Sequence, residues 1–266
     1  MWDDRRPVLA NIRDVVLSPV TIFRQEALFL IQDEISEPRT YLAILESVGS
    51  GRKTPAAIAS QTGILPNHMG KYLTTLTTLG FVDRIVSAAA TDRENTRQSR
   101  YEIRDAYLRF FFHFLYPHLT LIEQGRTTRL VRIIEEQFHA FVGKTAFEDL
   151  SRRRIAALGD GEQLPFVPES VGRIWTRSVE IDVAAVSHRD RAAILGECKW
   201  TGRKMSEQDL GQLQARAGRL ALGHDWSVTY ALFSRSGFTQ PLLRLAESGK
   251  VMLFEGPQLP QPENHQ

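Results

Sequence analysis

The sequence has few of the residues on which several common classes of site depend. It contains one cysteine in 266 residues, which excludes a disulfide framework and any zinc site built from several cysteines. Its most apolar run, residues 106–122, is interrupted by arginine, histidine and proline, so it is too polar to span a bilayer. The first residues are charged and lack the apolar core of a secretory signal. These absences predict a soluble, cytoplasmic protein with no membrane partner.

The chain also lacks an excess of either charge and any internal repeat. Its 33 basic residues against 31 acidic ones give a net charge of +2, which permits nucleic acid as a partner without arguing for it. Hydrophobic residues make up 42% of the chain and charged residues 24%, as in an ordinary globular protein. At roughly 150 residues per domain, the length predicts about two domains.

The residues that are present change in pattern near position 140. Before it, most segments have the apolar spacing of helices, and after it strands and helices alternate. Three short helices are predicted at 40–48, 54–63 and 67–80, capped in the last two cases by Thr54 and Asn67. Strands follow at Phe81–Val86 and Ser99–Ile103. Three helices and a hairpin in this order are typical of a winged helix-turn-helix, whose third helix can enter a DNA major groove.

The predicted third helix and hairpin carry the candidate DNA-binding residues. They are His68 and Lys71 on the helix and Arg93, Arg97 and Arg100 on the hairpin. Arginine on a loop suits contact with phosphate. The rest of the helix face is threonine, which is a weak reader of bases, and winged helices also serve as protein-docking modules. DNA contact and protein docking therefore both remain open.

The densest group of reactive side chains lies between Ser178 and Trp200. Two strand-like runs flank a polar turn, and a hairpin centred on that turn sets Asp182 opposite Glu197 and Glu180 opposite Lys199. Because side chains alternate along a strand, these four residues should share one face. The other, apolar face should carry Ile181, Val183, Ile194 and Cys198.

Three carboxylates on one face predict a cation site, because their mutual repulsion is relieved by a positive ion. Oxygen ligands favour Mg²⁺ or Mn²⁺, held by Asp182, Glu197 and Glu180. Such an ion can activate water and neutralise charge on a phosphate under attack, with Lys199 orienting the water or stabilising that charge. The alternative is an ordinary surface hairpin in which Glu180 and Lys199 pair across the strands.

The spacing of these residues resembles a nuclease signature. Asp182, followed after fourteen residues by Glu197-Cys198-Lys199, is similar to the D…E-x-K pattern of the PD-(D/E)XK nuclease superfamily, although Ile181 stands where the motif has proline. The resemblance implies a core of helix, three strands, helix and strand. It also implies catalytic roles for Asp182, Glu197 and Lys199, and it places the family's helical glutamate at Glu148.

A second resemblance extends over nearly the whole chain. The segments that carry it include Glu37-Pro38-Arg39-Thr40-Tyr41, Tyr101-Glu102-Ile103-Arg104-Asp105, Phe147-Glu148 and Glu197-Cys198-Lys199-Trp200. They look like the C-terminal half of the archaeal-type AAA+ ATPase family, which joins a winged helix to a nuclease-like domain. The ATPase domain of that family has no counterpart here. We therefore expect a stand-alone version, a fragment, or one half of a pair with a separately encoded ATPase subunit.

Together these observations predict a chain of mixed α+β and α/β class. The expected divisions are lid or linker helices at 1–36, a winged helix at 37–104, a helical connector at 105–140, a restriction-endonuclease-like domain with a mixed central sheet at 141–256, and a tail at 257–266. The leading hypothesis is a DNA-binding protein that hydrolyses phosphodiesters with Mg²⁺ or Mn²⁺. The alternative is a non-catalytic module that binds DNA or protein and works with an ATPase.

Overall fold

The computed structural model describes residues 3–18, 23–91, 98–220 and 222–256. The fold is mixed α+β, with helices and a two-stranded sheet in one compact unit and an open five-stranded sheet in the other. The first unit comprises residues 1–85 and 98–138, and the second comprises residues 86–97 and 139–266. Among the described residues, no helix has both the length and the apolar character needed to cross a membrane.

The first unit is mainly helical. Its elements before the hairpin are α1 (Val8–Asn11, continued by a π-helical turn at Ile12–Val16), α2 (Phe23–Glu34), α3 (Pro38–Gly49), α4 (Pro55–Thr62) and α5 (Pro66–Thr78). Strands β1 (Val82–Val86) and β2 (Ser99–Ile103) pair with each other. After them come α6 (Ala106–Phe110), a π-helical segment (Phe111–Leu115), a 3-10 turn (Tyr116–His118), α7 (Leu119–Glu123) and α8 (Thr127–Val142). The helices and strands predicted between residues 40 and 103 are thus confirmed as elements.

Proline and threonine fix where the helices of this unit begin. Proline occupies the first position of α3, α4 and α5, where its missing N–H removes no helical hydrogen bond. The Thr54 hydroxyl accepts a hydrogen bond from the Ala57 N–H at 3.3 Å, as predicted for an N-cap. The predicted cap at Asn67 is wrong, because Pro66 already opens α5 and Leu65 occupies the capping position.

The second unit is built on a sheet of five strands. They are β3 (Ser170–Trp175), β4 (Glu180–Ser187), β5 (Ala192–Lys199), β6 (Ser227–Ser234) and β7 (Met252–Glu255), in that spatial order. The first three strands are antiparallel, and β5, β6 and β7 run parallel. The helices are α9 (Glu148–Asp160, preceded by a π-helical segment at Gly143–Phe147), α10 (Glu207–Ala217) and α11 (Gln240–Glu247).

Both faces of this sheet are covered by helices. On one face, Ala184 and Leu195 pack in a core with Leu213 of α10 and Leu242 of α11. On the other face, Val183 and Ile194 pack in a second core that includes Ile155 and Leu158 of α9. Strands with two buried faces account for the almost unbroken apolar run in β4.

The predicted register of the β4–β5 hairpin is confirmed from Val183 opposite Gly196 to Ser187 opposite Ala192. A bulge interrupts the alternation just before this stretch. Between the pairs Gly172↔Ala184 and Ile174↔Ile181, β3 has one residue and β4 has two. The prediction that Ile181 shares a face with Val183 and Ile194 is therefore wrong, since Ile181 packs in the opposite core with Ala184.

Candidate active site

A group of charged side chains lies where β4 begins and β5 ends. We call it the charged cluster and define it by Glu148, Arg152, Arg173, Asp182, Glu197, Lys199 and Arg216. The antiparallel pairing of β4 with β5 brings Asp182 next to the segment that carries Glu197 and Lys199. Glu148 and Arg152 come from the first turns of α9, and Arg216 comes from the last turn of α10. The two helices thus reach the same strand ends from opposite faces of the sheet.

Glu197 is the most buried carboxylate of the cluster, at 4% exposure. Lys199 Nζ lies 2.6 Å from its Oε1, and Arg216 Nη2 donates to its Oε2 at 2.5 Å. A buried carboxylate needs such partners, because ionisation without them carries a large desolvation cost. Each oxygen of Glu197 therefore has its own cation.

Asp182 lies in the bulge of β4, and its carboxylate accepts a hydrogen bond from the Cys198 backbone N–H at 3.0 Å. Burial, followed by the negative charges of Glu197 and Glu148, raises the pKa of Asp182 to about 7. The Cys198 N–H and the charge of Arg216 oppose this increase in pKa. The carboxyl of Asp182 therefore changes its protonation near neutral pH, far above the usual range for aspartate.

Glu148 links α9 to the sheet through two arginines. Its Oε2 lies 3.4 Å from Arg152 Nη1 and 3.5 Å from a nitrogen of Arg173, which is buried on β3. Arg152 also donates to the Asp182 carbonyl oxygen at 3.1 Å. The same arginine thus contacts the helical carboxylate and the backbone of the bulge, which holds Glu148 near Asp182.

The single cysteine adjoins the cluster without adding a charge. Burial, followed by the charge of Asp182, raises the pKa of the Cys198 thiol well above its usual range. The Ser151 hydroxyl opposes this through a hydrogen bond, but the thiol stays neutral at physiological pH. Cys198 is therefore a packing residue at the α9 face rather than a thiolate nucleophile or ligand.

The structure brings together four of the five residues expected to act in catalysis or metal binding. Asp182, Glu197, Lys199 and Glu148 lie in the charged cluster, whereas Glu180 is exposed at the first position of β4. Because Ile181 faces the α10 core, its neighbour Glu180 points to the opposite side of the strand from Glu197. The predicted common face of Glu180, Glu197 and Lys199 is thus wrong, and the bulge is the cause.

The donor atoms of the cluster fit Mg²⁺ or Mn²⁺ in chemical type. Asp182 and Glu197 offer carboxylate oxygens, which these ions prefer. Burial and then the negative charges of Glu197 and Glu148 raise the pKa of Asp182, and a cation would relieve the contribution of those charges. Within the described ranges, however, no three His, Cys, Asp or Glu side chains are grouped closely enough to hold an ion. A metal at Glu197 would have to displace Lys199 or Arg216 from its carboxylate.

Sequence reasoning did not find the three arginines of the cluster. Arg173 is the one charged residue of β3, and a lone charge in a largely buried strand often marks a buried ion pair. Arg216 lies between Leu213 and Ala217, which are buried on α10, so helical periodicity places it at the edge of the packed face. These signals were present in the sequence, but their partners come from other elements.

The candidate DNA-binding residues lie in the first unit. His68 and Lys71 are exposed on α5, one turn apart, and Arg100 is half-buried on β2. The backbone carbonyl of Lys71 accepts a hydrogen bond from the Thr75 hydroxyl at 3.1 Å. This contact involves the backbone of Lys71 and not its ammonium group. Arg93 and Arg97 lie outside the described residues.

Comparisons with known proteins show similarity without an assigned activity. A family model, DUF234, described as archaea bacterial proteins of unknown function, matches residues 111–211. This range contains Glu148, Asp182, Glu197 and Lys199 and ends before Arg216. An uncharacterized protein of Methanocaldococcus jannaschii is 27% identical over 238 residues, which is 88% of this chain and 51% of that protein. The chain thus spans about half the length of this curated relative.

Proposed function

We propose that the chain is a DNA-binding protein whose second unit hydrolyses phosphodiesters with Mg²⁺ or Mn²⁺. The observation that carries the proposal is Asp182, half-buried beside Glu197 and Glu148 with its pKa raised to about 7. Burial of carboxylates next to each other is costly and is common at catalytic sites. An ordinary surface hairpin would leave these groups in solvent, where such a shift does not arise.

The order of elements supports the finer fold assignments within this proposal. In the second unit, α9, β3, β4, β5, α10 and β6 follow the helix, three strands, helix and strand of the PD-(D/E)XK core. In the first unit, α3, α4, α5, β1 and β2 follow the order of a winged helix. We therefore assign residues 141–256 to a nuclease-like domain and residues 37–104 to a winged helix.

Within this site, each residue of the signature has a chemical task. Asp182 and Glu197 would hold the divalent ion, which supplies an activated water and neutralises charge at the phosphate. Lys199 presents a compact ammonium beside them, with 32% of its side chain exposed, and would stabilise charge on the phosphate under attack. Glu148, held by Arg152 and Arg173, adds negative potential at Asp182.

Magnesium-dependent nicking by the purified protein tests this proposal. Duplex, branched and single-stranded DNA should be incubated with wild type, Asp182→Ala and Asp160→Ala in Mg²⁺ or Mn²⁺. Asp160 is an exposed carboxylate at the end of α9 and provides a matched control. We expect cleavage by wild type and Asp160→Ala and none by Asp182→Ala. Equal cleavage by all three proteins would point to a contaminating nuclease and would contradict the assignment of Asp182 to an active site.

Metal binding can be measured separately from cleavage. Calorimetric titration of Mn²⁺ should show binding to wild type and none to the Asp182→Ala, Glu197→Ala double variant. Since the pKa of Asp182 is about 7, protons compete with the ion, and the apparent affinity should fall as the pH is lowered below 7. Equal binding by the two proteins would exclude these carboxylates as ligands.

A second candidate function is that of a non-catalytic module that works with an ATPase subunit. Two observations favour it: both oxygens of Glu197 are already paired with cations, and the chain spans about half the length of its relative. If wild type cleaves none of the three kinds of DNA, alone or with an ATPase added, the interaction module becomes the better assignment.

A further inference from the structure

Arg216 is held in the charged cluster by the packing of its own helix. Leu210, Leu213 and Ala217 are buried in the core between α10 and the sheet. The start of α10 is fixed by a capping box of Ser206 and Asp209, and Arg203 donates to both oxygens of Asp209 at 2.9 and 2.7 Å. The backbone of α10 is therefore anchored at its start and along its buried face, so the guanidinium of Arg216 has a defined position.

The hydrogen bonds of Arg216 are incomplete. Its Nη2 donates to Glu197 Oε2, while the other oxygen of Glu197 contacts Lys199. The Nε–H of Arg216 is buried and has no hydrogen-bond partner within the described part of the chain. Among the described residues, Glu197 alone accepts a hydrogen bond from this guanidinium.

Two cations lie between Glu197 and solvent. One oxygen of Glu197 contacts Lys199 and the other contacts Arg216. About a third of the side chain is exposed in both Lys199 and Arg216, whereas Glu197 beneath them is buried. A molecule approaching from solvent thus meets two cations before it meets the carboxylate between them.

We propose that the guanidinium of Arg216 binds a non-bridging oxygen of a DNA backbone phosphate while its Nη2 remains on Glu197. The inference deepens the proposed function and rests on it, because it names a residue outside the D…E-x-K signature that positions the substrate. Arginine suits this task, since its planar group offers donors to two different oxygens at once. Lysine at the same place has one ammonium, which Glu197 would hold.

The test measures DNA binding without metal, so that cleavage does not enter the result. Fluorescence anisotropy in EDTA should follow a labelled 20-base-pair duplex at a series of salt concentrations, for wild type, Arg216→Gln and Arg216→Lys. Each lost phosphate contact lowers the slope of log K against log salt by ~0.9. We expect that reduction in both variants. The lysine variant keeps a positive charge for Glu197, so it remains informative if the glutamine variant fails to fold.

Arg219→Gln is the matched control, because Arg219 is exposed just beyond the same helix and its replacement removes the same charge. Its slope should equal that of wild type. An equal reduction in the control would show a bulk-charge effect and overturn the proposal, as would unchanged slopes in both Arg216 variants. If the Arg216 variants have a reduced slope but the protein never cleaves DNA, the phosphate contact is supported and the nuclease activity is not. If the slopes are unchanged and the protein does cleave DNA, the nuclease activity is supported and the phosphate contact of Arg216 is not.

Discussion

The charged cluster of the second unit and the candidate DNA-binding residues of the first, His68, Lys71 and Arg100, differ in burial. In the cluster, carboxylates and cations of α9, β3, β5 and α10 form ion pairs, and Glu197 is almost fully buried. On α5, His68 and Lys71 are exposed to solvent. Burial strengthens electrostatic interactions and shifts pKa values, whereas exposed charges are screened by salt. The first arrangement suits chemistry at a fixed position, and the second suits binding to a charged polymer.

This difference predicts unequal responses to mutation. Removing one partner of a buried ion pair leaves an unpaired charge and commonly costs about 3–5 kcal/mol of folding stability. Removing an exposed charge changes stability by about 0–1 kcal/mol. Substitutions in the charged cluster must therefore be separated into effects on folding and effects on reaction, while substitutions on α5 can be interpreted directly as changes in binding.

The largest expected effect concerns Lys199. In single-turnover assays, Lys199→Ala should reduce the cleavage rate by about 10²–10³ while metal and DNA binding persist, because it removes charge stabilisation at the phosphate. Lys199→Arg should restore little, since a planar guanidinium does not replace a compact ammonium. Arg216 remains as a partner for Glu197 in both variants, which limits the loss of stability.

Lys250→Ala is the control for this experiment, because Lys250 is an exposed lysine that follows α11. Its cleavage rate should match that of wild type. If Lys199→Ala cleaves as fast as wild type, the role assigned to Lys199 is wrong, although the protein is still a nuclease.

The next effect in size concerns Asp182 and pH. Its pKa is about 7 in the folded protein and about 3.9 in an unfolded chain. Because the folded-state value is the higher one, this residue stabilises the fold fully below pH 4, and the stability is lost as the pH rises towards 7. Asp182→Asn keeps a neutral side chain, so at pH 8 it should be more stable than wild type by about 1–3 kcal/mol.

Urea denaturation of both proteins at pH 5 and pH 8 measures this difference. The advantage of the variant should shrink as the pH falls. A gap that does not change with pH would mean that Asp182 is not a titrating group of the site, and the comparison between a buried cluster and an exposed surface would lose its main support.

Much of the local structure could be predicted from the sequence, because it depends on neighbouring residues. Thr54 caps α4 as expected, and a hairpin centred on its polar turn predicted the register that pairs Val183 with Gly196. The bulge at Asp182 could not be predicted in this way, because an extra residue in one strand is defined only by the pairing with β3. Alternation alone therefore placed Ile181 and Glu180 on the wrong faces.

The carboxylates of the candidate site could be predicted from the sequence, but the arginines that pair with them could not. Asp182, Glu197 and Lys199 lie close together because one hairpin carries all three. Arg216 reaches Glu197 from a helix nineteen residues further along the chain, so the contact depends on how α10 packs on the sheet. Pairs of this kind follow from tertiary structure, and single-sequence patterns do not encode their geometry.

The smallest expected effect concerns the exposed surface. If α5 and the β1–β2 hairpin contact phosphates, replacing Lys71, Arg93 and Arg97 by alanine should weaken duplex binding and lower the salt slope by ~0.9 for each lost contact. Folding stability should hardly change, because an exposed lysine such as Lys71 contributes little to it. Adding Arg216→Lys to the triple variant should lower the slope once more, since contacts in separate units are expected to add. An unchanged slope in the triple variant would instead favour a first unit that docks protein. Arg216 would then be the one substituted residue that contributes to the salt dependence of DNA binding.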